Sequence, residues 1–173
     1  MSTNSTWINP LPTRGQKIKN IVDYIDKKCR ELYCVGEDIV LDESTMVLKG
    51  RISFKCYNPQ KPTKWGLRVY VIAESETSYI SAFEPYFGQV STNALIRSDL
   101  PFTCRIVVHL ISRLLQDSPA KGRHLFTDRF YSSPQSCREL RDVHVNTTGT
   151  VVSNRQRLPV EVSNDHKENY FTK

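Results

Sequence analysis

The apolar positions of this chain change period repeatedly, and each change marks an element. Over residues 13–32, Ile18, Ile21, Val22, Ile25, Cys29 and Leu32 recur at helical spacing with Lys and Arg between them. That pattern predicts a helix N-capped by Thr13, ended near Gly36 and buried along one face. Ile39, Val40 and Leu41 then make a short continuous apolar run, the mark of a buried strand, which stops at Asp42 and Glu43. Phe54, Cys56 and Tyr57 follow in alternation, and NPQKPTK is a basic loop with two prolines. Residues 67–75 (LRVYVIAES) are continuous enough for a central strand, and SETS turns them into a hairpin partner closing at Pro85 and Gly88.

STNALIRSDLPFT reads as a loop. Residues 101–116 predict a second helix, with Ile106, Val107, Leu110, Ile111, Leu114 and Leu115 on one side and Arg105, His109 and Arg113 off it. After the break at SPAKG, Leu125 and Phe126 lead a strand into Asp128. Pro134 opens a short helix that turns Leu140 inward, and TTGTVVSN reads as a last strand. Strands and crossover helices in this order imply an α/β fold, a mixed sheet covered by helices. The pattern divides the chain into a polar lead-in (1–13), one domain (14–160) and a polar tail (161–173).

Composition narrows the classes. At 173 residues and 39% hydrophobic content the chain can bury a core. Its longest apolar run falls far short of the ~20 residues that cross a bilayer, so no membrane partner is expected. The first residues lack the basic start and apolar block of a secretory signal. Cys29, Cys34, Cys56, Cys104 and Cys137 are odd in number and contain no CxxC pair, which predicts free thiols rather than disulfides or a zinc site. Cys137 is expected to act as a small buried hydrophobe.

Lys and Arg number 24 against 18 Asp and Glu, a formal net charge of +6. This excess, spread along the chain, favours a polyanionic partner, nucleic acid first. Lys49, Arg51, Lys55, Lys61 and Lys64 are the candidates for phosphate contacts; a solvated basic loop would explain them equally well. Trp65 is expected to pack into the core at a sheet edge, and His109 and His124 to be structural.

The chemistry concentrates in two acids. Asp42 and Asp128 each follow a buried strand, and carboxylates from two such strands can converge on one divalent cation, since hard Mg²⁺ takes oxygen ligands from separate segments. The alternative reading is that both acids merely terminate their strands.

Four strings, IVLDESTMVLKGRISFKCYNPQKPTKWGLRVYVIAES, SDLPFT, HLFTDRFYSS and GTVVSNRQRLP, lie in the order and at the spacing of the piggyBac transposase family, and residues 17–159 resemble its transposase domain. The resemblance implies a ribonuclease-H-like fold in which three acids hold two Mg²⁺ ions for DNA strand cleavage and transfer. It makes Asp42 the first acid and Asp128 the second. The family's third acid lies on a helix beyond GTVVSNRQRLP, so a partial domain with two of three acids, silent by itself, is expected. Asp165, 37 residues beyond Asp128, lacks the apolar periodicity that would fix it against a sheet and is a poor substitute, as are Glu161 and Glu168. The resemblance also implies DNA as partner; a homodimer and a nuclear or nucleo-cytoplasmic location are expected with it. Two other functions stay open: a non-catalytic DNA-binding or protein-interaction module, and an active metal-dependent nuclease completed by a third acid.

Overall fold

The computed structural model describes residues 15–59, 61–62, 64–117, 122–152 and 158. Its centre is β1 (Asp38–Val47), which pairs antiparallel with β3 (Trp65–Glu74) over nine residue pairs, from Ile39↔Glu74 to Val47↔Gly66. On its other side β1 pairs parallel with β5 (His124–Thr127), and β5 pairs parallel with β6 (Asn146–Gly149). The outer edge of β3 carries two strands end to end: β2 (Cys56–Tyr57) pairs with Trp65 and Gly66, and β4 (Ile80–Pro85) with residues 69–73. The result is a six-stranded mixed sheet.

Period-two alternation decides which face is buried. Ile39 and Leu41 of β1 point to the same side as Tyr70 and Ile72 of β3, all at 3% exposure or less. Against them packs α3 (Phe102–Asp117), burying Ile106, Val107, Leu110, Ile111 and Leu114. Each such side chain contributes about 1.5–3 kcal/mol by leaving water. α4 (Pro134–Asp142) adds Leu140 to the same layer. Its start follows the sequence expectation: the Ser133 side chain accepts from the Ser136 backbone N–H, with Pro134 in the first turn.

Four sequence expectations change here. The strand predicted to stop at Asp42 runs on to Val47, because β3 supplies it with a full-length antiparallel partner. The loop after β4 contains a short helix, α2 (Gln89–Ala94), anchored by Ser91, whose hydroxyl accepts from the Phe87 N–H and donates to the Gly88 carbonyl. β6 closes at Gly149. Cys137 is exposed on α4, and the buried thiol is Cys104; all five cysteines are free.

The largest departure is α1 (Gln16–Leu32). Its Thr13 cap lies outside the described residues; the helix starts after Gly15, at φ +80°, where a Cβ would run into the Phe87 ring. Its apolar stripe is not buried: Ile18, Ile21, Ile25 and Leu32 are exposed, and the buried residue of this helix is Asp26. α1 lies along the edge strand β4 rather than on a sheet face. Asp26 accepts the backbone N–H of Phe83 at 2.8 Å, an outward donor of that edge strand, and is clamped by Arg30 and Arg113. Arg30 goes on to Asp117 at 2.7 Å and Arg113 to Glu84 at 2.7 Å, so the network joins α1, β4 and α3. A carboxylate can be fully buried only when paired in this manner.

A second buried acid fixes the turn from α1 into β1. Glu74, at the end of β3, accepts from the Thr77 hydroxyl, the Gly36 N–H and the Tyr33 hydroxyl. These donors, Thr77 first, hold its carboxyl below its ordinary pKa of 4.5.

Two outcomes follow from these acids. Asp26→Ala leaves Arg30 with Asp117 and Arg113 with Glu84 alone, and because each keeps that second carboxylate the loss sits near the lower end for a broken buried pair, about 3 kcal/mol by urea unfolding. For Glu74 the folded pKa is depressed, so its stabilisation is complete above pH 4.5 and disappears as the pH falls through the folded value. Glu74→Gln should therefore flatten the acid side of a stability-against-pH curve.

Candidate active site

The inward set of Ile39 and Leu41 forces Asp42 to the opposite face of β1, beside Val71 of β3. The parallel register Asp38↔His124, Ile39↔Leu125, Val40↔Phe126 and Leu41↔Thr127 ends one step before Asp42. The residue after the last registered pair is an acid on each strand, Asp42 on β1 and Asp128 after β5, where the two strands part. Both are exposed.

Local hydrogen bonds orient each acid. Asp42 Oδ1 accepts the Glu43 N–H at 2.7 Å, and Asp128 Oδ1 accepts the Phe130 N–H at 2.9 Å. The Asp128 carbonyl accepts from the Tyr131 N–H, the Ser132 N–H and the Ser132 hydroxyl, closing a tight turn as soon as β5 ends. Gly149 of β6 abuts this turn so closely that a Cβ would collide with Ser132 Oγ and the Thr127 carbonyl. The turn thus admits only glycine beside it.

Tyr131 anchors the same turn from below. It has no exposed surface, and its hydroxyl donates to Glu43 Oε2 at 2.9 Å. Burial, then the Glu43 charge, pushes the phenol far above its ordinary range, so it stays a neutral donor. Glu43 points to the inner face and Asp42 to the outer one. The bond ties the residue after the first acid to the third residue after the second.

Asp42 lines an open cavity of about 410 Å³ together with Ser44, Lys61 and Val71. Lys61 closes over it by donating to the Glu43 carbonyl at 2.8 Å. Among the other predicted phosphate-binding residues, Lys49, Arg51 and Lys64 are exposed and Lys55 half-buried, on the segments flanking β2. Those segments lie at the end of the sheet toward which β1 runs beyond Asp42. Trp65 contradicts its core assignment: it is 52% exposed and packs in a tilted arrangement, centroid to centroid 4.6 Å, against Tyr57, itself 51% exposed. An edge strand of two residues leaves this pair without a covering layer among the described residues. His124 is structural as expected, bonded to Thr148 and stacked on Phe126. His109 packs beside Glu84, 3.8 Å away.

Asp165, Glu161 and Glu168 lie outside the described residues. Among the described residues no group of three or more His, Cys, Asp or Glu side chains is placed to hold a metal ion. Sequence reasoning missed Asp26, Glu43, Tyr131 and Gly149; apart from Arg30, four residues from Asp26 on the same helix, their partners are distant in sequence and leave no local signal.

Residues 5–173 match the family described as Transposase IS4, a family of DDE transposases, and the chain belongs to it. Its fold is a mixed α/β sheet with helices packed against it. The structure is similar to that solved by cryo-EM for a piggyBac transposase synaptic complex with hairpin DNA, with a TM-score of 0.71 and 23% identity. The match covers 88% of this chain and 30% of that one, so the chain spans under a third of that relative's length. No helix among the described residues is long and apolar enough to cross a membrane.

Replacing Tyr131 by Phe removes a hydrogen bond to a charged acceptor. The expected loss of unfolding free energy is about 1.5 kcal/mol, toward the lower limit for such bonds because Glu43 keeps some contact with water.

Proposed function

We propose that this chain acts on DNA through the Asp42–Asp128 pair, as part of a piggyBac-type catalytic domain that binds DNA but does not cut it alone. The observation that supports this reading is the β1–β5 register, which ends one residue before an exposed carboxylate on each strand, with Lys61 lining a groove beside Asp42.

The two residues fit a divalent cation: they offer hard oxygen donors from separate strands, and the opposing hydrogen bonds at Glu43 N and Phe130 N fix their orientation. Such an ion, when bound, supplies Lewis-acid polarisation of a phosphodiester oxygen. What the chain's own side chains do is narrower. Asp42 and Asp128 present negative oxygens at one point of the sheet. Lys61 sets a positive charge in the same groove, where a phosphate can rest, and Lys49, Arg51, Lys55 and Lys64 extend that attraction independently of sequence.

Two carboxylates give less charge and a looser geometry than three, which is why the chain is proposed to be silent without a further acid. Residues 14–160 act as the working domain in this reading, and its location is nuclear. A homodimer is one way a partner chain would complete the assembly.

The test is a labelled duplex in Mn²⁺, read for binding and for nicking together. Affinity is expected to fall steeply and linearly on a log–log plot against salt, with no nicked product. Nicking that Asp42→Asn abolishes would show a complete site and overturn the proposed silence. Salt-insensitive affinity would overturn the DNA reading.

A further inference from the structure

Between residues 44 and 73 the chain carries Lys49, Arg51, Lys55, Lys61, Lys64 and Arg68 and not one Asp or Glu. That is six positive charges, equal to the formal excess of the whole chain. The excess, expected from the sequence to be spread along the chain, thus falls in one structural unit, the end of β1, the β2–β3 hairpin and β3 itself.

Within that unit stands the Tyr57–Trp65 pair. The two residues are registered partners across β2 and β3, their ring centroids are 4.6 Å apart with planes at 40°, and about half of each side chain is open to solvent. Packing does not account for so much exposed aromatic surface at a sheet edge, where water contact costs free energy in proportion to area. Alternation along β3 places Trp65 on the same face as Val71, the registered partner of Asp42. Six residues of strand separate Trp65 from Val71, about 20 Å at ~3.3 Å per residue. Between them, Lys61 reaches back from the hairpin loop to the Glu43 carbonyl. One face of the sheet thus presents Asp42, a lysine and an aromatic pair, flanked by cations.

We infer that Tyr57 and Trp65 form a stacking platform for an unpaired base of a DNA strand whose backbone runs along the basic hairpin toward Asp42 and Asp128. The inference rests on the DNA reading above and adds the subsite that distinguishes a single strand from a duplex. The open π-face of an indole accepts any base, whereas the faces of paired bases within a duplex are already stacked; lysines at the flanks take the phosphates without regard to sequence.

The test uses the full chain carrying Trp7→Phe, which leaves Trp65 as the single tryptophan. An oligothymidylate and a duplex of equal length are titrated, with Trp65 emission and the anisotropy of an end-labelled strand read in parallel. The single strand is expected to quench Trp65. Trp65→Leu should weaken single-strand binding by about five- to a hundredfold, the range of one lost base-stacking contact, while changing duplex affinity less than twofold. Trp65→Phe should restore most of the loss. Binding by anisotropy with unchanged Trp65 emission, or with Trp65→Leu equal to the intact chain, would overturn the platform and leave the DNA reading standing. Failure of both nucleic acids to bind would overturn the DNA reading and the platform with it.

Discussion

The parallel register between β1 and β5 is the constraint on which the rest of this molecule depends. Four residue pairs, Asp38↔His124 to Leu41↔Thr127, fix where the two strands separate, and the first residue past the last pair is an acid on each. A slip of one residue would turn Asp42 inward and Leu41 out, which the burial of Ile39 and Leu41 against α3 forbids. The hydrophobic core therefore sets the position of the acids, although neither acid touches it. Tyr131 and Gly149 reinforce the same point, one by bonding Glu43 from beneath and the other by letting β6 close on the turn after Asp128.

The edge of the sheet is handled by a different device. An amphipathic helix beside an edge strand usually buries its apolar stripe; α1 instead inserts a carboxylate that caps a free N–H of β4 and recruits two arginines. This arrangement blocks further strand addition at β4 and links α1 to α3 through charge rather than hydrophobic area. The exposed isoleucines of α1 are the consequence.

Much of this was legible in the sequence, and the limits have physical causes. The two helices α3 and α4, the strands β1, β3, β4 and β5, and the strand-then-acid pattern at Asp42 and Asp128 were visible because local periodicity and capping encode them. The burial of α1 was misread because a 3.6-residue period reports that a helix has an apolar face, not that anything covers it. Trp65 was misread for the converse reason: aromatic residues usually pack, and only the register with Tyr57 on a two-residue strand reveals the open face. The contacts of Asp26 with Arg113 and of Glu43 with Tyr131 span 87 and 88 residues, beyond the reach of any local pattern. The concentration of positive charge in residues 44–73 was present in the sequence all along, but it acquires meaning once those residues are seen to occupy the part of β1 and β3 that runs on from Asp42 to the hairpin.

The most direct measurement of the central claim, that Asp42 and Asp128 make one site, is Mn²⁺ titration by calorimetry of the intact chain, Asp42→Asn, Asp128→Asn and the double variant. A shared site predicts that the intact chain binds at sub-millimolar concentration, that either single change removes the binding, and that the double variant is no worse than either. Binding that survives both substitutions, or losses that add independently, would contradict it.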